Sequence, residues 1–210
     1  MIIALVSNKG GVGKTTLSMN IASGLNASNP TAVLDVDPQQ SSTHWKRVGT
    51  LSGFSLPSVV TLEVQSIQAE LEKMREQSTH IVVDCPPSFH AEETLDTLRL
   101  ADIALIPVQP SPMDLWATVH IAGVIKEASK ENPKLRGAML INQLEAGTTL
   151  SKVVKSAVGQ LGLSVLPIGV RRRAVYKNCL LDGRSIYDSG SRGKEAMKEV
   201  DTVIEEIFKL

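Results

Sequence analysis

Residues 9–16 read Lys9-Gly10-Gly11-Val12-Gly13-Lys14-Thr15-Thr16 and follow almost directly on the apolar run Ile2–Val6. A buried-type strand, then a glycine-rich loop, then a helix is the build of a phosphate-binding loop. Glycines let the backbone curl so that successive N–H groups face a common centre, and the following helix adds its positive end. In that arrangement Lys14 reaches the β- and γ-phosphates and the Thr15 hydroxyl ligates Mg²⁺. Gly10, Gly11, Val12, Gly13, Lys14, Thr15 and Thr16 are therefore the expected nucleotide-binding residues. The usual motif has glycine five residues before Gly13, where this chain has Asn8, and it carries a second lysine, Lys9, near the front of the loop.

Two further segments end strands in carboxylates. Thr31–Asp35 runs into Asp35-Val36-Asp37-Pro38-Gln39-Gln40, and His80–Asp84 runs into Cys85-Pro86-Pro87. Beside a metal-bound triphosphate, aspartates at such positions hold metal-bound waters or orient the attacking water. Asp84 is accordingly expected on a magnesium-bound water, and Asp35 and Asp37 each in the magnesium shell or at the hydrolytic water. Cys85 stands where many ATPases place a glutamate base, which moves the burden of water activation toward Asp37.

Composition sets the frame. With 210 residues the chain suits one domain, 1–210, and can bury a sizeable core. Hydrophobic residues make up 42% and aromatics only 3%, so that core must be aliphatic and platforms for stacking bases are not expected. Cys85 and Cys179 lack metal-ligand or CxxC spacing and read as reduced thiols of a cytoplasmic protein. Neither a signal peptide nor a membrane-spanning run of ~20 apolar residues is expected.

Strands and helices alternate. Strands are expected at Ile2–Val6, Thr31–Asp35, His80–Asp84, Ile103–Val108, Leu135–Ile141 and, briefly, Val165–Leu166 before Pro167. Helices are expected at Lys14–Leu25, Ser41–Arg47, Ser66–Glu76, Glu92–Leu100, Met113–Ser129, Leu150–Leu161, Ala174–Leu181 and Lys194–Phe208. Continuous β-branched strands between helices imply a doubly wound α/β fold, a mostly parallel sheet flanked by helices, with ligands beyond the carboxyl ends of the strands.

The octapeptide at 9–16 resembles the deviant Walker A motif of the ParA/MinD superfamily of ATPases. The resemblance extends through the DxDPQ segment, the Walker B strand ending in Asp84, Pro110-Ser111-Pro112-Met113-Asp114, and the late Arg173-x-x-Tyr176 and Gly183-x-Ser185-x-Tyr187 pattern of small ParF-like members. It implies an Mg²⁺-dependent ATP hydrolase with catalytic Lys9, Lys14 and Asp37, in which Lys9 crosses a nucleotide-sandwiched homodimer. A lysine inserted from a partner would stabilise transition-state charge as an arginine finger does. The resemblance further implies base contacts from Asn142 and from the loop at Pro167-Ile168-Gly169-Val170. It implies positioning or segregation of a plasmid, chromosome or protein assembly, with hydrolysis stimulated by a ParB-like or cargo-adaptor protein. An assembly or regulatory ATPase that does not bind DNA, and a MinD-like membrane ATPase, are the alternatives.

Net charge is zero but unevenly spread: residues 1–150 carry 11 basic and 15 acidic side chains, residues 151–210 carry 11 and 7. Arg171, Arg172, Arg173, Lys177, Arg184 and Arg192 are the expected contacts for sequence-independent binding of duplex DNA, giving nucleoid association in the ATP state. No N-terminal helix-turn-helix for sequence-specific reading is expected. The last helix carries Glu195, Glu199, Asp201, Glu205 and Glu206, the wrong sign for anionic lipid, so it is expected to pack on the core and no membrane partner is expected.

Overall fold

The computed structural model describes residues 1–62, 66–145 and 163–210, with the side chains of 112–119 also outside the description. The helix expected over 150–161 lies outside those residues. Seven strands form the core of the fold: β1 (Ile2–Leu5), β2 (Thr31–Asp35), β3 (Ser58–Thr61), β4 (His80–Asp84), β5 (Ile103–Val108), β6 (Arg136–Leu144) and β7 (Ser164–Arg171). All described pairings are parallel, in the order β3-β2-β4-β1-β5-β6-β7.

Alternation along β1 explains the layers. Ile2 and Ala4 enter one apolar cluster and Ile3 and Leu5 the other, so the central strand is buried on both faces. On the first face lie α3 (Ile67–Arg75), α4 (Glu92–Leu100) and α5 (Pro112–Glu131). The other is covered by α1 (Lys14–Asn26), α2 (Ser41–Leu51), α6 (Ala174–Asp182) and α7 (Lys194–Ile207). Helix α7 buries Ala196, Val200, Val203 and Ile207, a 3–4-residue stripe against α1 and β7.

Parallel register decides the site. Leu5 and Asp35 are both opposite Asp84, so β1, β2 and β4 end level with one another. The turns that carry the three motifs therefore leave one edge of the sheet side by side.

Two strands depart from the sequence reading. β3 is a short, half-exposed edge strand with no alternating signal to announce it. β7 runs straight through Pro167 instead of ending there, so Ile168-Gly169-Val170 is strand rather than loop. Val165 pairs with Met139 and Gly169 with Ile141, a register shift that bulges the chain at Pro167. On an edge strand, within a bulge, the missing proline N–H removes no ladder bond.

Candidate nucleotide site

The loop leaving β1 takes left-handed backbone at Gly11 (φ 76°) and Gly13 (φ 94°), which glycine adopts without steric cost. Between them Val12 is buried and pins the loop to the core. Gly13 then opens α1 with no side-chain cap and no acidic residue in the first turn. An uncapped helix N-terminus at the mouth of a curled glycine loop presents backbone donors and a positive dipole end to an anion.

Lys14, only 7% exposed, donates to the Ser7 hydroxyl at 3.0 Å. Burial lowers its pKa, against the opposing attraction of Asp84 and Asp37. A buried ammonium facing a neutral hydroxyl is poorly compensated, and an anion in the loop would supply what it lacks. Asp84 is wholly buried at the end of β4 and accepts hydrogen bonds from Ser42 at 2.7 Å, Ser18 at 3.2 Å and the Thr15 hydroxyl. Burial pushes its pKa up to about 6, partly offset by the Ser42 and Thr15 bonds. Cys85 beside it is also buried, which pushes its thiol up and makes it a packing residue.

The chain matches, over residues 3–186, the family model for the CobQ/CobB/MinD/ParA nucleotide binding domain. It belongs to that family. It is 36% identical over 206 residues to maintenance of carboxysome distribution protein A of Halothiobacillus neapolitanus, covering 98% of this chain and 95% of the relative. It is 26% identical to the chromosome partitioning protein ParA of Myxococcus xanthus, covering 93% and 84%. An ATP complex of a Cyanothece McdA variant shares the fold, with a TM-score of 0.76 at 16% identity over 98% of this chain and 95% of that one.

Within this ParA/MinD-family site, the expected residues are brought together unevenly. Asp37 is half-exposed, accepts from the Gln39 N–H at 2.9 Å and lies close enough for its charge to act on Lys14. Lys9 is exposed at the front of the loop, and its carbonyl accepts from Ser7. Asp35 is buried at the end of β2. One of its carboxylate oxygens accepts from both the N–H and the hydroxyl of Thr43 at 2.9 Å, and the other from the Asp37 N–H at 3.3 Å. It thus secures the first turn of α2.

Magnesium itself suits the remaining donors. Thr15 and Asp84 are hard oxygen ligands in contact, and Mg²⁺ takes one or two such groups and completes its shell from phosphate and water. Among the described residues no three His, Cys, Asp or Glu side chains converge into a protein-only metal site.

Beside the loop a cavity is lined by Gly13, Thr16, Asn142, Arg171, Arg173 and Tyr176, among others. Asn142 donates to the Val12 carbonyl at 2.7 Å, so it braces the loop while lining that cavity. Pro167 is exposed on the bulge of β7 and is not among the lining residues; Val170–Arg173, just downstream, are.

The expected DNA contacts do not form one free patch. Arg173 makes a two-pronged bond to Glu199 (2.7 and 3.2 Å), and Arg171 sits against the same carboxylate. Arg172 pairs with Glu145 and Arg184 with Asp182, each at 3.0 Å. Arg171, Arg172, Arg173 and Lys177 all border the cavity. Lys177 and Arg192 are exposed and form no ion pair among the described residues.

Ser7, Ser18 and Ser42 are site residues the motif reading passed over. Ser18 and Ser42 sit on inward faces of α1 and α2, where a serine in an apolar stripe is the only signal the sequence offers. No helix among the described residues is long and apolar enough to cross a membrane.

Proposed function

We propose that this chain is an Mg²⁺-dependent ATPase that dimerises on ATP and positions a protein assembly of the carboxysome kind, with hydrolysis stimulated by an adaptor protein. The observation that carries the ATPase reading is the uncapped α1 loop with buried Lys14, and Thr15 in contact with Asp84. The choice of cargo is supported by the 36% identity, over nearly the full length of both chains, to a carboxysome distribution protein.

In this reading the loop amides and Lys14 bind the phosphates, Asp84 orients Thr15, and Asp37 holds the attacking water by accepting its proton in a hydrogen bond. Bound Mg²⁺ supplies charge neutralisation on the phosphate oxygens. Lys9, at the exposed front of the loop, reaches the partner protomer's nucleotide, so ATP joins the dimer and hydrolysis releases it. The single domain and a cytoplasmic, nucleoid-associated location belong to the same proposal.

Purified protein should hydrolyse ATP slowly with Mg²⁺ and not with EDTA, and should sediment as a dimer with ATP but not ADP. No Mg²⁺-stimulated turnover, together with no nucleotide binding, would remove the reading. A second reading, an ATPase of this family that does not bind DNA, is favoured by the pairing of Arg171, Arg172, Arg173 and Arg184 with carboxylates. An electrophoretic shift of unrelated duplexes at low salt, present or absent with ATP, separates the two.

A further inference from the structure

Four carbonyls of the phosphate loop, those of Lys9, Gly11, Val12 and Gly13, are taken by donors of this chain. Lys9 O accepts from the Ser7 hydroxyl at 3.0 Å, Val12 O from Asn142, and Gly13 O from the Leu17 N–H at 2.9 Å. Gly11 O accepts twice, from the Gln143 side-chain amide at 2.8 Å and from that of Gln109 at 3.2 Å. The two glutamines belong to different strands: Gln109 follows the last residue of β5, and Gln143 lies near the end of β6.

The arrangement matters because a peptide group is rigid. Its C=O and the next residue's N–H point in opposite directions. Holding the Gly11 carbonyl toward the glutamines turns the Val12 N–H the other way, and holding the Val12 carbonyl on Asn142 does the same for Gly13. Glycine at positive φ populates several backbone wells with little penalty, so an unheld Gly11–Val12 peptide can flip and bring a carbonyl to the phosphate side. Gln143 itself is held at φ 57°, an unfavourable conformation for a residue with a side chain. Strain of that kind persists where the surroundings impose it, and here it brings the Gln143 amide onto the loop.

We propose that Gln109 and Gln143 are positioning residues: a double clamp on the Gly11 carbonyl that presets the loop with its N–H groups toward the phosphates. The inference rests on the ATPase reading above for its ligand, and on the three side-chain amide bonds for its geometry.

The test replaces the clamp with apolar side chains of similar length, Gln109→Met and Gln143→Met, singly and together. The double variant should bind Mg-ADP and Mg-ATP roughly tenfold more weakly, with a nucleotide-free melting temperature close to wild type. Amide hydrogen exchange over residues 10–16 without nucleotide should accelerate in the double variant and rise less in each single one, which keeps one donor. Exchange and affinity both within twofold of wild type would overturn the clamp. A lower melting temperature with unchanged exchange in the loop would also overturn it, as packing alone. If wild type binds neither nucleotide, as Lys14→Ala should not, the ATPase reading falls instead, and the role assigned to the clamp falls with it. The nucleotide-free exchange data separate that failure from a clamp that does not hold the loop.

Discussion

Asp35 and Asp84 stand opposite each other across β2 and β4, yet they face different partners. Asp35 is satisfied by the first turn of α2, whereas Asp84 is buried among hydroxyls beside a lysine it does not pair with. Sequence spacing places both at strand ends and cannot say which one a helix terminus will claim, because that depends on where α2 begins. The buried carboxylate carries a cost that the magnesium proposed here would offset. Its folded pKa of about 6 lies above the unfolded value near 3.8, so the folded state binds the extra proton between those values. The stability of the nucleotide-free protein therefore falls as pH rises through that window, and the full penalty stands at neutral pH. Asp84→Asn should raise nucleotide-free stability at pH 7.5, by on the order of 3 kcal/mol, while abolishing Mg²⁺-dependent turnover. Urea titrations at pH 7.5 and pH 5 check it: an equal gain at both pH values would mean that ionisation of Asp84 is not the cause. Asp37 has a different role in the proposed mechanism, touching neither metal shell nor helix cap. Asp37→Ala should keep ATP affinity and lose turnover by ~10²-fold or more, read as single-turnover hydrolysis alongside nucleotide binding. Unimpaired hydrolysis would remove Asp37 from the mechanism.

At the scale of elements, the periodicity of α1, α4 and the central strands was legible because each buries a continuous stripe or both faces. β3 was not, and of β7 only Val165–Leu166 was, since edge strands need neither full burial nor an N–H at every position, and Pro167 therefore misleads. The link at residues 183–193 holds two 3₁₀ turns, Ile186–Asp188 and Gly190–Arg192, closed by a reciprocal Ser185–Asp188 capping box. What ties that link to the site is the contact of its first residue with α2. A Cβ on Gly183 would clash with the Gly49 nitrogen, and one on Gly49 with the Gly183 carbonyl oxygen. Trp45 closes the same contact by donating to the Arg184 carbonyl at 3.1 Å. Because these obstacles are backbone, no rotamer change relieves them. Gly49→Ala should cost about 1–3 kcal/mol and Gly183→Ala more, since φ 69° adds strain. Gly53→Ala, also at positive φ but with open space around its Cβ position, should cost only about 1 kcal/mol. Thermal unfolding of the three variants should rank them in that order, and a Gly53 variant as damaged as Gly183 would place the cost in φ alone.

On the scale of the whole molecule, the basic excess after residue 150 is real in composition, but among the described residues most of its arginines are paired with carboxylates. Sequence counts charges without seeing that Glu199, from α7, meets Arg171 at the end of β7 and Arg173 at the cap of α6. Glu199 is only 12% exposed, so removing Arg173 takes the closest charge from a nearly buried carboxylate and leaves it to the Arg171 N–H and a more distant guanidinium. Arg173→Ala should therefore act on folding, destabilising by roughly 1–3 kcal/mol, and its effect on any DNA binding should follow from that loss. Lys177 and Arg192 are different: both are exposed and neither is paired among the described residues, so their charge is available to an anionic partner. If the protein retains duplex DNA, the affinity gained by dimerisation comes from presenting two such surfaces on one rigid body. Counterion release then makes retention fall steeply with salt, in proportion to the phosphates neutralised. Lys177→Glu with Arg192→Glu should abolish ATP-dependent retention at low salt, leave sedimentation of the ATP dimer unchanged, and leave the melting temperature within about 2 °C of wild type. Lys9→Ala should do the reverse, keeping both basic side chains but losing the dimer and, with it, the retention. Equal DNA binding by a monomeric Lys9 variant would show that the surface acts without dimerisation. Wild-type protein that dimerises on ATP and ignores DNA would place the chain with the DNA-independent members of its family.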